Sequence, residues 1–258
     1  MYWPKTKRSM QASQSYIGRI LAPDWNPPAG VRSCFTYRKG GFSEKPYDTF
    51  NMGSNVGDSA SNVQKNRKIL KKSCGLRKEP LWLTQVHGNK VVDSSRNKAG
   101  IEADGCVTST RSLACVVTVA DCLPILISDI YGNQVAAIHA GWRGLKNHIL
   151  SKAIESFKSP PSDLIVWIGP SISRMNYEVD TDFKTRFESL PSFSENDFYK
   201  NGRKLFFDLK GYASRELRRC GVENVKLNER CVHAEKRFFY SYRREGNCGR
   251  MAALIWKV

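Results

Sequence analysis

The sequence predicts a single mixed α/β (α+β) domain with mixed sheets, and three observations carry that reading. Its 258 residues are 41% hydrophobic, with 6 Trp, 10 Tyr and 12 Phe, enough apolar material for one large core. The centre of the chain is dense in short, β-branched-rich runs separated by turn residues. Helical stretches fall among those runs without a regular strand–helix–strand rhythm, which argues against a doubly wound parallel sheet. A charged fraction of 25% is ordinary for a globular chain and excludes bulk disorder.

Residues 1–30 read as an N-terminal arm closing on Pro27-Pro28-Ala29-Gly30, and residues 31–258 as the domain proper. Ser33–Tyr37 is a strand, followed by a turn at Gly40-Gly41. Val63–Cys74 is a helix, because Val63, Arg67, Leu70 and Cys74 share one stripe. Ser59 or Ser61 suits its N-cap, and Gly75 sits where a terminating glycine belongs. Leu81–Val86, Ala114–Val119, Pro124–Ser128 and Gln134–His139 are strands. Leu145–Phe157 is one amphipathic helix, with Leu145, Ile149, Ala153, Ile154 and Phe157 on its apolar face. Leu164–Ile168 is a buried strand, Asp180–Leu190 and Asp208–Cys220 are helices, and Met251–Trp256 is a final strand.

No run approaches the roughly 18 apolar residues of a membrane span. The basic N-terminus has no apolar segment behind it to make a secretory signal, so a soluble cytoplasmic protein is expected. Three of the eight cysteines (Cys106, Cys115 and Cys122) lie within strand-like apolar runs, and there is no CxxC; reduced thiols are expected. The net charge of +17 is uneven. Residues 1–80 hold 15 Lys and Arg against 5 Asp and Glu, while residues 101–145 hold 2 against 4. Such a surface attracts anions, or is simply a solvated basic face.

The chain has four histidines, His87, His139, His148 and His233. His87 and His139 each end a predicted strand and are followed by glycine within two residues; Asp121-Cys122 ends a third. Strand ends aim side chains from rigid backbone into open loops. Two imidazoles and one thiolate form a zinc set with a fourth position open. The same residues equally suit a cysteine nucleophile with a histidine base, and the spacing does not decide between them. His148 falls in a helix; His233 is a further candidate ligand. Arg38-Lys39-Gly40-Gly41 joins cations to a flexible backbone, and Gly141-Trp142-Arg143-Gly144 opens a helix; each suits an anion or, equally, a tight turn. Walker, dinucleotide-binding and HExxH patterns are absent.

From Arg38 onward these motifs resemble the laccase-domain family, catalogued as multicopper polyphenol oxidase-like, peptidoglycan editing factor and purine nucleoside phosphorylase. The carriers include Arg38–Ser43, Phe50-Asn51-Met52-Gly53, Asn66-Arg67, Thr84-Gln85-Val86-His87-Gly88 and Glu102-Ala103-Asp104-Gly105. They continue through Ala120-Asp121-Cys122-Leu123-Pro124, His139–Gly144, Ile168-Gly169-Pro170, Ser241–Arg244 and Gly249-Arg250-Met251. The resemblance implies a layered α/β/β/α fold, similar to cysteine-dependent deamidase toxins, and makes residues 31–258 a laccase-like catalytic domain. It implies zinc on His87, Cys122 and His139, and phosphorolysis of adenosine, inosine, guanosine and methylthioadenosine with adenosine deamination beside it. The cysteine-rich stretch common after Ile-Gly-Pro is replaced here by Ser171–Asn176, so no role for those thiols carries over.

Four histidines are too few for a multicopper centre, which needs a blue-copper site plus a trinuclear cluster. Copper could occupy the three-residue set in vitro, but not as a multicopper centre. What the resemblance leaves as the expected enzyme is a zinc-dependent purine nucleoside phosphorylase with adenosine deaminase activity. Cys122, His139, His87 and Asp121 are its expected catalytic residues, with Glu102 as an alternative proton carrier to Asp121. Arg38 or Arg143 is expected to hold phosphate and Asn51 the sugar. The alternative is a Cys–His hydrolase acting on an amide of a peptidoglycan precursor. The partners expected are purine nucleosides and phosphate, with no membrane. Basic clusters at Lys65–Lys72 and Arg215–Arg219 come without any nucleic-acid recognition motif, which weighs against nucleic acid as a partner.

Overall fold

Strands buried on both faces explain the near-continuous apolar runs of the central sequence. The computed structural model describes residues 19–258, so the part of the expected arm before Arg19 lies outside the described residues. The strands are β1 (Ile20–Leu21), β2 (Val31–Thr36), β3 (Val91–Asp93), β4 (Gly105–Thr108), β5 (Cys115–Val119), β6 (Leu123–Asp129) and β7 (Val135–Ala140), then β8 (Leu164–Ile168), β9 (Glu178–Val179), β10 (Phe198–Asn201), β11 (Lys204–Phe207), β12 (Asn224–Leu227) and β13 (Met251–Lys257). The helices are α1 (Ala60–Ser73), α2 (Trp142–Lys146), α3 (Ile149–Glu155), α4 (Thr181–Glu188), α5 (Leu209–Arg219) and α6 (Tyr242–Glu245).

An antiparallel sheet runs β1-β2-β13-β5, and a mixed sheet runs β12-β8-β6-β7-β4-β3 with parallel pairs at β12–β8 and β3–β4. A small antiparallel sheet, β10-β11-β9, stands apart. The alternation of side chains along each strand sorts the core into three layers. Phe35, Val117, Ala253 and Ile255 of the first sheet meet Leu126, Ala137 and Trp167 of the second. On the outer face of the first sheet, Cys34, Val116 and Leu254 pack against Leu70 of α1. On the outer face of the second, Ile125, Ile127 and Ile138 pack against Leu145, Ile149, Leu209 and Leu217. The chain is thus a single mixed α+β domain with helices outside two facing sheets.

Two expectations need correction. Leu81–Val86 is not a strand: it makes only isolated bridges at Leu81 and Thr84. The Gln85 side chain takes over the ladder's role, exchanging hydrogen bonds with the backbone N–H and C=O of Thr118. The single helix Leu145–Phe157 is two helices, because His148 adopts a left-handed conformation (φ 60) between α2 and α3. The apolar face survives the break, which is why the periodicity read as one helix. Within the expected arm, Ile20 and Leu21 form β1 and pair with β2 in the first sheet. The other elements lie within a few residues of their expected bounds. Ser59 occupies the N-cap of α1 without a side-chain capping bond, and Gly75 ends that helix at φ 64.

Candidate metal and substrate site

Cys122 and His139 come together through strand register. Pro124 of β6 lies opposite His139 of β7, and Leu123 opposite Ala140. Cys122, one residue before β6, therefore projects from the same face as His139 on the neighbouring strand. His87 arrives from the loop after the 81–86 segment, with φ 60, and its ring lies 4.7 Å from that of His139, edge to face. The donor atoms of His87, Cys122 and His139 all lie within 4.8 Å of one another. Gly141 makes this approach possible: a Cβ there would sit 2.9 Å from the Cys122 Sγ and 3.1 Å from the His87 ring.

Asp104 organises the three. It is fully buried at the entry to β4, and its Oδ1 lies 2.8 Å from the Nδ1 of His139. Its two oxygens also accept backbone N–H bonds from Val86, His87 and Gly88 at 3.2, 2.9 and 2.7 Å. One carboxylate thus orients His139 and holds the strained His87 turn. Burial pushes the Asp104 carboxyl up, but the His139 hydrogen bond and charge and the backbone donors outweigh it, leaving its pKa below the usual value. Burial likewise opposes ionisation of Cys122, yet the His139 charge and hydrogen bond, joined by those of His87, bring the thiol down to about 6. Burial disfavours the charged imidazole of His139; the Cys122 thiolate and Asp104 override it and raise His139 to about 9.

The donor set fits a zinc ion on its chemistry. Two imidazoles and a thiolate suit a borderline-soft cation, and the Asp104 bond to Nδ1 leaves Nε2 of His139 as the ligating atom. Among the described residues this is the one His/Cys/Asp/Glu group of that kind. His148 and His233 are not part of it. His148 lies 3.9 Å from Glu216, while the backbone carbonyl of His233 accepts from Arg244.

A cavity of about 530 Å³ opens over the centre. Arg67, Arg143, Arg243 and Arg250 line it, and none of the four forms an ion pair among the described residues. Other contacts fix them. Arg67 stacks 3.8 Å over Trp82 and donates to the Met52 carbonyl at 2.8 Å; Arg143 lies 4.4 Å over Trp142; Arg243 donates to the Glu178 carbonyl at 2.6 Å. Burial lowers Arg67 to about 10, still a cation at neutral pH. Trp142 and Tyr177 add aromatic wall, and burial pushes the Tyr177 hydroxyl up, so it keeps its proton.

Asp121 also lines the cavity, at φ 86, with its carboxylate accepting from Ser241 Oγ at 2.6 Å and from the Arg243 N–H at 2.7 Å. Burial raises its pKa against those two donors. Glu102 is exposed beside Thr84 and does not line the cavity. Arg38 and Asn51 do not line it either. Arg38 pairs with Glu245 at 2.7 Å and donates to the carbonyls of Lys236 and Phe239. Asn51 is fully buried and shapes the 51–58 turn through Gly53, Asp58 and the Arg250 N–H. Both are framework residues.

The family model described as multi-copper polyphenol oxidoreductase laccase matches residues 32–258. The chain belongs to that family. It is 36% identical over 243 residues to the purine nucleoside phosphorylase YfiH of Escherichia coli (strain K12), covering 94% of this chain and 100% of that protein. A purine nucleoside phosphorylase of Haemophilus influenzae is 37% identical over 242 residues, covering 92% and 99%. Among solved structures, the Neisseria meningitidis protein NMB0706 superposes with a TM-score of 0.88 at 38% identity, covering 93% of this chain and 99% of that one. YlmD from Geobacillus stearothermophilus gives 0.86 at 28%, covering 93% and 96%. No helix among the described residues is long and apolar enough to cross a membrane.

Sequence reasoning missed Asp104, Arg67, Arg243 and Arg250 as site residues. Arg67 carried a signal, a cation on the apolar stripe of α1. Asp104 carried one too: a carboxylate directly before a buried strand, between the two histidine motifs.

Proposed function

We propose that this cavity is the active site of a zinc-dependent purine nucleoside phosphorylase, cleaving adenosine, inosine, guanosine or methylthioadenosine to base plus sugar 1-phosphate, with adenosine deamination as a companion reaction. The observation that supports it most is the convergence of a metal-capable triad and four unneutralised arginines on one aromatic-walled cavity. The names printed for its relatives agree with it. Zinc on His87, Cys122 and His139 supplies Lewis-acid activation of water or of a substrate oxygen.

This chain's residues do the rest. Trp142 and Tyr177 flank the purine. Arg143, at the head of α2, holds phosphate, and the neighbouring Arg243 adds a second cation. A phosphate oxygen attacks C1′, the bond to the purine nitrogen breaks, and the electron pair leaves with the base. Asp121 takes up the proton that the attacking phosphate loses and passes it to the departing purine ring. Asp104 keeps the Nδ1 proton of His139 in place throughout.

A second reading rests on a specific observation. Cys122, His139 and Asp104 stand in the order of a nucleophile, base and orienting acid, with the thiol lowered to about 6. That arrangement supports a Cys–His hydrolase acting on an amide, such as one in a peptidoglycan precursor.

Product analysis separates the two. Zinc-quantified protein incubated with adenosine is expected to release adenine only when phosphate is present, or inosine and ammonia without it; both should vanish in Cys122→Ala. Arg143→Ala should raise the phosphate KM about tenfold or more with a smaller change in kcat. No turnover of adenosine, inosine or guanosine by zinc-loaded protein overturns the phosphorylase. Amidase activity in zinc-free protein, lost on alkylation of Cys122, establishes the hydrolase instead.

A further inference from the structure

Outside the cavity, two thiols face each other across the α1 layer. The Sγ atoms of Cys34 and Cys74 lie 3.3 Å apart. Cys34 sits in β2 with 4% exposure, paired with Leu254 of β13. Cys74 is the C-cap of α1, half-buried, its N–H closing the last turn on the Leu70 carbonyl. Gly75 follows at φ 64 and releases the chain from the helix. A helix terminus next to such a glycine is the part of a helix that moves most easily, and a modest approach of Cys74 brings the two sulfurs to bonding distance, about 2.05 Å.

We propose that Cys34 and Cys74 are a redox-active pair, a modification site where a peroxide-class oxidant closes a disulfide between the first sheet and the end of α1. The half-exposed Cys74 meets the oxidant first. Its thiolate attacks one peroxide oxygen, the O–O bond breaks, and hydroxide leaves and takes up a proton as water, giving a sulfenic acid. Cys34 then loses its proton and attacks that sulfur; the S–O bond breaks and a second water leaves. Two thiols are oxidised by two electrons, and one peroxide is reduced to two waters. A dithiol reductant reverses the step.

Position distinguishes this pair from the other thiols. Cys106 and Cys115 are also neighbours, but both are wholly buried between the sheets, closed to an oxidant. Cys220 and Cys231 contact Ser151 and Ser173. The disulfide would tie down the helix that carries Asn66 and Arg67. Asn66 holds the Phe42 N–H and the carbonyls of Thr49 and Asn51, and Arg67 holds Met52 and Trp82 at the cavity wall. Oxidation therefore stiffens the wall of the site from behind.

Full-length, zinc-loaded protein treated with a small excess of hydrogen peroxide, digested without reduction and analysed by mass spectrometry, tests it. A peptide linking Cys34 to Cys74 is expected, 2 Da lighter than its two halves and released by dithiothreitol. Closing a loop that spans 40 positions should raise Tm by about 5–10 °C, and Cys74→Ser should remove both the link and the shift. Cys74 recovered as free thiol or as sulfinate, with no linked peptide from wild type, overturns the proposal. So does a shift in Tm that persists in Cys74→Ser.

Discussion

Two histidine–carboxylate pairs occupy opposite faces of the second sheet, and they are built differently. At the site, Asp104 and His139 meet at 2.8 Å, and the remaining lone pairs of Asp104 accept three backbone N–H bonds. In the helical layer, Glu216 of α5 and His148 are 3.9 Å apart, and among the described residues neither carboxylate oxygen of Glu216 has a hydrogen-bond partner although the residue is 1% exposed. Burial raises both carboxyls. Donors bring Asp104 back below its usual value, whereas Glu216, opposed only by the charge of Arg219, stays up at about 7. Burial alone does not make a working carboxylate; the donors around it do.

The comparison can be broken first at Asp104. Asp104→Asn keeps the volume and removes the charge that orients His139, and it should weaken zinc binding about 10–100-fold, read by competition with a chelator. Zinc affinity within threefold of wild type would reduce Asp104 to a framework residue. Next comes Gly141→Ala, whose methyl would press on the Cys122 sulfur. The overpacking should cost about 1–3 kcal/mol and lower zinc affinity together, measured by urea unfolding and metal titration. An unchanged affinity would show that the centre has slack.

Glu216 sharpens the other side. A carboxyl raised from 4.5 to about 7 in the folded state favours folding below pH 4.5, and that contribution is lost as pH rises through 7. Glu216→Gln removes the loss, so at pH 8 it should stabilise the protein by about 2–3 kcal/mol and at pH 4.5 leave it nearly unchanged. Equal effects at both pH values would contradict the assigned burial. The smallest effect belongs to His148→Gln, for which zinc content and turnover should both stay within twofold of wild type. A larger fall would place His148 in the chemistry after all.

Much of this architecture was legible because sheet burial leaves a plain trace. Leu164–Ile168 and Met251–Trp256 are apolar on both faces, and runs that short favour a buried strand over a buried helix. The His87, Cys122 and His139 set was legible as residue types at expected strand ends, although the segment before His87 is not a strand. What brings them together was not: the β6–β7 register and the Gly141 gap are tertiary facts. Arg38 and Asn51 stood in motifs as prominent as that of Arg143, yet they serve the framework. Arg38 is taken up by Glu245, a carboxylate distant in sequence, and the Asn51 amide by Gly53, Asp58 and the Arg250 N–H. The left-handed turn at His148 gave no local warning, since glycine or asparagine is the usual marker of that conformation.

Zinc K-edge X-ray absorption on stoichiometrically loaded protein tests the central claim most directly. One ion per chain with one sulfur and two imidazole nitrogens among its ligands, and loss of the sulfur signal in Cys122→Ser, is the result this account predicts. A zinc environment without sulfur, or full nucleoside turnover by protein stripped of metal, would contradict it.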